Sequence, residues 1–331
     1  MKTILLTHTP AARANYFGPK ALAALQGMGT VRLHQEEAPL DTAALIAAAS
    51  DCDVILSDRA TEGAGEVFRN LPNLVAFARC AVDIRNIDVA AASEHGVLVT
   101  QASAGFMASV AEWIVGAMID LNRHITAAAA AYHAGETPGS RMGSELRGAT
   151  IGIIGYGQIA RHLARLAEAF GMRILVTDPY VQGAEAGIVQ VPLARLLAES
   201  DHVVCLAKAT AETENLMDAG AFAAMKPTAH FINASRGNLV DEAALLEALE
   251  TGRIAGCALD VGRAPDQMPS PVLARHPRVI ATPHIGGLTP PAIEHQALET
   301  VGQVGEILAG RVPRGAVNAD KARRMRKIAG L

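Results

Sequence analysis

The stretch IGIIGYGQIA, residues 151–160, decides the fold of this chain. An apolar run leads into a turn marked by glycines, and apolar residues at helical spacing follow. Gly155 permits a tight turn, and Gly157 lets the backbone approach a pyrophosphate. The phosphates would lie at the positive end of a helix that opens with Gln158 and Ile159. The pattern predicts a dinucleotide site, and with it hydride transfer.

An acid follows this fingerprint at the spacing that dinucleotide sites use. The apolar run 173–176 ends at Asp178, about twenty residues further on. Its carboxylate can accept hydrogen bonds from the adenosine ribose and would repel a 2′-phosphate, so NAD is favoured over NADP. The alternative is that Asp178 is an ordinary strand-end residue before the turn at Pro179.

Composition excludes several classes of protein. The chain has 331 residues, half of them apolar, a net charge of -4, four tyrosines and one tryptophan. This length predicts two domains, and a slightly acidic chain poor in aromatic residues does not suit nucleic acid. The cysteines are scattered without paired spacing, which favours the cytoplasm. No apolar run is long enough for a membrane span or a signal peptide, and no ligand cluster predicts a metal.

The order of apolar runs predicts two doubly wound parallel sheets. Short strands alternate with helices up to about residue 100, and a long helix is expected over 108–134. After the fingerprint the strand candidates are 202–206, 230–233, 256–259 and 279–281, and a helix over 293–309 follows. We expect a Rossmann-type cofactor domain, residues 102–288, inserted in a discontinuous flavodoxin-like substrate domain, residues 1–101 and 289–331.

Polar residues of three kinds follow the later strands: Arg236, Asp260 and His284. The carboxyl ends of parallel strands open onto the ligand crevice. An arginine there can bind a carboxylate and polarise a neighbouring carbonyl, and a histidine can give a proton to the alkoxide as hydride arrives at carbon. Taken singly, such an arginine is more often a surface ion-pairing residue and such a histidine more often structural. Together they predict reduction of a 2-oxo acid.

These stretches together resemble the D-isomer-specific 2-hydroxyacid dehydrogenase family over essentially the whole chain. The matching segments are 86–92 with 96–97, 110–112, the fingerprint, 225–227 with 232–242, 258–261 and 283–287. The resemblance implies two domains that close over a cleft and a homodimer with helix 108–134 in its interface. It also implies that Arg236 is the substrate-binding catalytic arginine, His284 the acid/base, and Asp260 a contact to the nicotinamide end.

The residues expected to line the site follow from the motif and the resemblance. The substrate, a small 2-oxo or 2-hydroxy acid, is expected to meet Ala81, Val82, Asp83, Arg236 and His284. The expected cofactor contacts are Gly155, Gly157, Gln158, Ile159, Asp178, Lys208, Thr213, Ala234, Ser235, Arg236, Asp260, His284 and Gly286.

The chain departs from the family pattern at three of these places. The glutamate that usually orients the catalytic histidine falls on Pro265, and Asp266 takes that role if its loop bulges inward; otherwise His284 has a lower pKa. Asp83 occupies a position usually given to glycine, in a loop whose amides cradle the substrate carboxylate. Its charge would repel an anion unless Arg85 or another cation neutralises it. Lys208 replaces a proline and could reach a cofactor phosphate, which leaves room for NADP.

Three functions are therefore compared. The first is an NAD-dependent oxidoreductase of a small 2-oxo acid, of the glyoxylate, hydroxypyruvate or longer 2-keto acid type. The second is a dinucleotide-sensing binding protein with the same fold and little turnover, suggested by the missing glutamate and the altered loop. A dehydrogenase of another anion, such as phosphite or formate, has no positive support in the sequence. Retention of Arg236 and His284 favours the first.

Overall fold

The computed structural model describes residues 2–181, 183 and 185–329, without the side chains of Asp266 and Ala329. Internal contacts divide the chain into two units, Met1–Phe106 with Pro290–Leu331, and Met107–Thr289. Each unit is an α/β structure built on one parallel sheet. No helix of the described residues is both long enough and apolar enough to cross a bilayer.

The first unit opens with five strands and their connecting helices. In chain order these are β1 (Thr3–Leu6), α1 (Pro10–Tyr16), α2 (Gly18–Gln26), β2 (Thr30–Leu33), α3 (Thr42–Ala48), β3 (Val54–Ser57), α4 (Gly65–Asn70), β4 (Ala76–Arg79), α5 (Val89–Glu94) and β5 (Leu98–Gln101). The sheet order is β2-β1-β3-β4-β5, and every described pair is parallel. Strands β3 and β4 are buried throughout, as expected where helices cover both faces.

The second unit carries seven strands. Its elements are α6 (Met107–Arg123), α7 (Ile125–His133), β6 (Thr150–Ile154), α8 (Gln158–Ala169), β7 (Arg173–Thr177), β8 (Ile188–Gln190), α9 (Leu193–Glu199), β9 (His202–Cys205), α10 (Ala219–Ala224), β10 (His230–Asn233), α11 (Glu242–Glu250), β11 (Gly256–Leu259), α12 (Pro271–Ala274) and β12 (Val279–Ala281). The sheet order is β12-β11-β10-β9-β6-β7-β8. The fingerprint strand β6 therefore lies where the strand order reverses, which is where doubly wound sheets bind ligands. The predicted fold class is confirmed.

The chain then returns to the first unit through α13 (Pro290–Leu308) and α14 (Arg326–Ala329). The buried face of α13, which includes Ala297, Val301 and Val304, packs into one apolar cluster with Ile4 and Leu25. The segment after α13 is joined to β5 by backbone hydrogen bonds at Gly315 and Val317 and by the side chain of Asn318. Asn318 Oδ1 accepts the Val99 amide at 2.8 Å, and its Nδ2 donates to the Val97 carbonyl at 2.9 Å. The last part of the chain thus completes the unit that the first part begins.

The single helix predicted over 108–134 was wrong in one respect, because the structure divides it at His124. This residue has a φ of 55°, in the left-handed region, and separates α6 from α7. The break is stabilised locally: Asp120 Oδ1 accepts the Thr126 amide at 2.8 Å. An acid that caps the next helix competes with continuation of the first, since its oxygen satisfies a backbone donor at the new helix start.

Candidate active site

The glycine turn after β6 is shaped by close backbone packing on one side and open space on the other. Gly155 has a φ of 89°, and a Cβ there would lie 2.7 Å from the backbone N and Cα of Ala207. Gly157 is the N-cap of α8, and a Cβ at that position would meet nothing within 4 Å. The first glycine is required by the turn, while the second leaves the helix N-terminus accessible to an anion.

Asp178 closes the other side of this turn. Its Oδ2 accepts the Tyr156 amide at 2.7 Å, and its Oδ1 accepts the Tyr180 amide at 2.8 Å. The carboxylate therefore links the fingerprint loop to the end of β7 and fixes both. Each oxygen retains acceptor capacity, so a ribose hydroxyl can still be bound. The sequence predicted a ribose contact for Asp178 but not these two backbone hydrogen bonds.

Tyr156 adds a contact that the glycine pattern did not predict. Its side chain is 1% exposed, and the guanidinium carbon of Arg161 lies 4.5 Å from the ring centroid. Arg161 is also paired with Glu185 at 2.7 Å. The aromatic residue between the two glycines thus packs the loop onto α8. The pKa of the Tyr156 phenol is raised, mainly because the side chain is buried.

The segment after β10 forms a tight polar turn that ends at Arg236. Asn233, 1% exposed, accepts the Ser235 amide at 3.1 Å and donates to the Arg236 carbonyl at 2.9 Å. The Arg236 Nη1 donates to the Ser235 carbonyl at 2.7 Å. Because Ser235 Oγ donates to the Ala207 carbonyl at 2.6 Å, this turn is joined to the loop that packs on the fingerprint glycine. An Asn two residues before a Ser is the signal for such a turn.

Asp260, at the end of β11, organises the loop that carries His284. Its side chain is 4% exposed. Oδ1 accepts the Thr282 hydroxyl at 2.6 Å and the Ile285 amide at 2.8 Å, and Oδ2 accepts the Gly286 amide at 2.8 Å. These bonds bracket His284, which is half-buried and has a φ of 57°. A left-handed histidine is unfavourable in isolation, so the Asp260 bonds maintain its backbone conformation.

The three predicted polar residues therefore follow adjacent strands, Arg236 after β10, Asp260 after β11 and His284 after β12. Their unit also holds the fingerprint. Further predicted cofactor residues lie on the β9 loop. There Lys208 is exposed, and its carbonyl accepts the Thr213 hydroxyl at 2.8 Å. Ala234 lies half-buried inside the Asn233 turn.

Asp266, predicted to orient the histidine, has a side chain outside the described residues. Its backbone belongs to a short 3-10 turn, Pro265–Gln267. The proposed role of its carboxylate stays a prediction.

The predicted substrate loop belongs to the first unit, where it follows β4. Arg79, fully buried, donates to Ser57 Oγ at 3.1 Å and to the Thr61 carbonyl at 2.7 Å. Burial lowers the pKa of its guanidinium to about 10, so it remains a cation at neutral pH. Asp83 is paired with Arg85, one of the two possibilities left open by the sequence: Arg85 Nη2 donates to Asp83 Oδ2 at 2.6 Å and Nε donates to Oδ1 at 2.9 Å. Ala81 is half-buried and Val82 is 37% exposed.

The chain resembles known proteins in sequence and in structure. A D-3-phosphoglycerate dehydrogenase of Synechocystis sp. is 35% identical over 283 residues, which are 84% of this chain and 51% of that protein. The chain thus spans about half the length of the curated relatives it matches. The apo-structure of D-lactate dehydrogenase from Escherichia coli has a TM-score of 0.82 at 26% identity, over 96% of this chain and 100% of that one. D-2-hydroxyisocaproate dehydrogenase has a TM-score of 0.84 at 26% identity, with the same coverage.

A family model, D-isomer specific 2-hydroxyacid dehydrogenase, NAD binding domain, matches residues 115–286. That range contains the fingerprint, Asp178, Arg236, Asp260 and His284, and it lies within the second unit. The dinucleotide domain predicted from the glycine pattern is confirmed, with NAD as its cofactor. The chain belongs to the D-isomer specific 2-hydroxyacid dehydrogenase family.

Proposed function

We propose that this protein is an NAD-dependent oxidoreductase that transfers hydride between the cofactor and a small 2-oxo or 2-hydroxy acid, with the D stereochemistry of its family. The observation that carries the proposal is the placement of Arg236, Asp260 and His284 after adjacent strands of the sheet that holds the dinucleotide fingerprint. A cation, a buried carboxylate and a titratable base at one sheet edge are the groups that this reaction needs.

Each side chain has a distinct task in this proposal. Bound NAD supplies or accepts the hydride at the nicotinamide ring. Arg236 binds the substrate carboxylate and polarises the neighbouring carbonyl with its planar guanidinium. His284 donates a proton to the oxygen that becomes the hydroxyl, and accepts it again in the reverse reaction. Asp260 acts as a positioning residue, because its carboxylate holds the amides on the C-terminal side of His284.

The geometry of the second unit supports the proposed cofactor contacts. The pyrophosphate would approach Gly157 and the first turn of α8 at Gln158 and Ile159, since a Cβ at Gly157 would meet nothing within 4 Å. Asp178 would accept the ribose hydroxyls and disfavour a 2′-phosphate. The exposed ammonium of Lys208 would favour a further phosphate, and NADP use would depend on it.

The substrate class is the finer part of the proposal. We infer a compact 2-oxo acid of the glyoxylate or hydroxypyruvate type. The Asp83 carboxylate in the substrate loop and its pairing with Arg85 leave less positive charge there than a doubly anionic substrate would need. We therefore expect a phosphorylated acid, such as the names of the curated relatives indicate, to be a poorer substrate for this protein than a compact 2-oxo acid.

The test is oxidation of NADH, with NADPH in parallel, over a panel of glyoxylate, hydroxypyruvate, phosphohydroxypyruvate and longer 2-oxo acids. His284→Ala should abolish turnover while leaving NADH binding near wild type, and His95→Ala, in the first unit, serves as the control. In Asp266→Asn, a lower pH optimum would support that carboxylate as the partner of His284. Tight NADH binding with no acid reduced by the wild type would favour the dinucleotide-sensing protein instead.

We also propose a homodimer formed through α7. This helix contains five alanines beside Ile125, Thr126, Tyr132 and His133, yet none of its side chains is buried; Ile125 and Tyr132 are 52% and 63% exposed. A second copy of the chain is the partner that the family resemblance implies. Light scattering should report a dimer for the wild type and a monomer for Tyr132→Glu, whereas Tyr16→Glu in the first unit should remain dimeric. A monomeric wild type would refute this part.

The four buried, unpaired thiols support a reducing cytoplasmic location.

A further inference from the structure

The side chain of Arg263 joins the loops that follow β9, β10 and β11. Its Nη2 donates to Glu214 Oε1 at 2.8 Å and to the carbonyls of Asn238 and Val240 at 3.0 and 3.1 Å. Its Nε donates to the same Val240 carbonyl at 3.2 Å. Glu214 lies after β9, Asn238 and Val240 lie after β10, and Arg263 itself lies after β11. The guanidinium therefore links three neighbouring loops at the carboxyl edge of the second sheet.

The loop after β11 also packs backbone to backbone against the residue that follows Arg236. A Cβ at Gly237 would lie 2.1 Å from the carbonyl carbon and oxygen of Gly262. A Cβ at Gly262 would in turn lie 2.6 Å from Pro269 Cα, within its own loop. That loop is closed on itself, since the Gly262 amide donates to the Gln267 carbonyl at 2.9 Å. The two loops are thus in direct contact immediately after Arg236 in the sequence, and both glycines are required for it.

The backbone of Arg236 is fixed from two directions. The Asn233 side chain, before it in the sequence, donates to the Arg236 carbonyl at 2.9 Å. After it comes a 3-10 turn, Gly237–Leu239, and the carbonyls that Arg263 binds belong to this turn and to the residue that follows it. Because hydrogen-bond geometry within a 3-10 turn is poorer than in an α-helix, a donor from outside contributes strongly to holding the turn in place.

We propose that Arg263 is a positioning residue: through the turn after β10 it sets the place of Arg236, and with it the guanidinium that binds the substrate carboxylate. The inference rests on the proposed function and adds a residue that acts without touching substrate or cofactor. Its loop is anchored as well, since the Arg263 amide donates to Glu242 Oε1 at 3.0 Å. A lysine could not replace this side chain, because an ammonium lacks the planar fork that reaches acceptors on two loops at once.

The experiment measures binding of oxamate, an unreactive monocarboxylate, to the NADH-loaded protein by calorimetry, together with KM and kcat for the preferred 2-oxo acid. The variants are Arg263→Ala, Arg263→Lys and Arg263→Ala in an Arg236→Lys background. Arg278→Ala is the matched control. Arg278 also donates to a backbone carbonyl, that of Leu249 at 3.2 Å, but it precedes β12 and so lies at the opposite edge of the same sheet. Thermal unfolding gives a temperature at which all variants are folded.

Arg263→Ala should weaken oxamate binding and raise KM by about tenfold, with NADH binding within about twofold of the wild type, because a displaced binding group loses its alignment with substrate. Added guanidinium chloride, at a concentration that does not unfold the protein, should restore part of this loss. Arg263→Lys should show most of the same loss, and it carries the test should the alanine variant not fold. In the Arg236→Lys background the effect of Arg263→Ala should shrink to about twofold or less, since coupled residues are not additive. Arg278→Ala should bind oxamate as the wild type does.

Unchanged oxamate binding and KM in Arg263→Ala, even with a lower melting temperature, would show that the arginine only stabilises the loops and would overturn the inference. An equally large loss in the Arg236→Lys background would do the same, as would absence of oxamate binding by the wild type. A wild type that reduces no acid, but whose oxamate binding responds to Arg263→Ala as expected, would instead count against the proposed function.

Discussion

The Gly286 amide donates to Asp260 Oδ2 at 2.8 Å, and a Cβ on residue 286 would lie 2.8 Å from that same oxygen. The Asp260 carboxylate can therefore approach the backbone of residue 286 this closely only because that residue is a glycine. The same Cβ would lie 3.7 Å from the Trp113 side chain, so the loop has little room to move aside. The conformation of the histidine two residues earlier depends on this contact.

Gly286→Ala should consequently displace the loop and lower kcat by at least tenfold, with a loss of about 1–3 kcal/mol in the free energy of unfolding. The control is Gly302→Ala in α13, where a Cβ would meet nothing within 4 Å. That variant should stabilise the protein by about 0.5–1 kcal/mol. Urea unfolding and steady-state kinetics measure both. Wild-type kcat in Gly286→Ala would contradict the role assigned to this contact.

Asp260→Asn tests the carboxylate itself. Both oxygens accept backbone amides, so the amide NH2 of asparagine must face an N–H donor in either orientation. We expect a loss of about 1–3 kcal/mol in unfolding free energy, because one backbone donor is left without its acceptor. The kcat should fall more than KM rises, since the loop positions His284, the proposed acid/base group. A variant with wild-type stability and kcat would show that the loop holds its shape without this residue.

Asp178→Ala should change cofactor preference. It removes the acceptor available to the ribose and the negative charge that disfavours a 2′-phosphate, so NADH should bind about tenfold more weakly while NADPH gains relative to it. Asp201→Ala is the matched control, because Asp201 also accepts a backbone amide, that of Thr150 at 2.8 Å. The control should lose stability with an unchanged preference. Fluorescence titration with both cofactors gives the ratio, and equal ratios in the two variants would reject the assignment.

The stacked pair His202 and His230 should make stability depend on pH. The ring centroids are 5.4 Å apart, and burial is the main cause that lowers their pKa values to about 3 and about 4. Above the ordinary value of 6.5 both rings are neutral in the folded and unfolded states. Below it the unfolded chain binds protons that the folded pair does not, so stability falls as pH drops from 6.5 towards 4.

Each ring contributes a slope of up to about 1.4 kcal/mol per pH unit in that window. His230→Phe removes one of these slopes, so the difference in unfolding free energy between pH 8 and pH 5 should shrink. Urea titrations at the two pH values measure that difference. An unchanged difference would mean that His230 is protonated in the folded protein at the lower pH.

Much of the fold could be predicted because parallel strands buried on both faces have continuous apolar runs. β6, β9 and β10 are examples, and the glycine turn after β6 indicated that these strands belong to a dinucleotide-binding sheet. The edge strands β2 and β8 were missed. Their residues are half-buried or exposed, and in β2 polar and apolar residues alternate over only four positions. Such short stretches carry no period that separates them from loops.

The site could be predicted in its residue types but not in its internal bonds. Arg236 and His284 stood out because charged or titratable groups followed apolar runs. The bonds of Asp260 to the 282–286 loop join segments that are distant in sequence, and no local pattern reports them. The left-handed backbone at His284 was missed for the same reason, because long-range hydrogen bonds override the local preference of a non-glycine residue.

The pinning of Asn318 to β5 has a consequence for the order in which the protein is made. Residues 107–289 form a continuous unit whose residues are all present once residue 289 is synthesised, whereas the first unit also needs α13 and residue 318. During that interval the apolar cluster around Ile4 and Leu25 lacks the covering helix. The first unit, although synthesised earlier, is thus the one finished last, and nascent chains are most prone to aggregate through it.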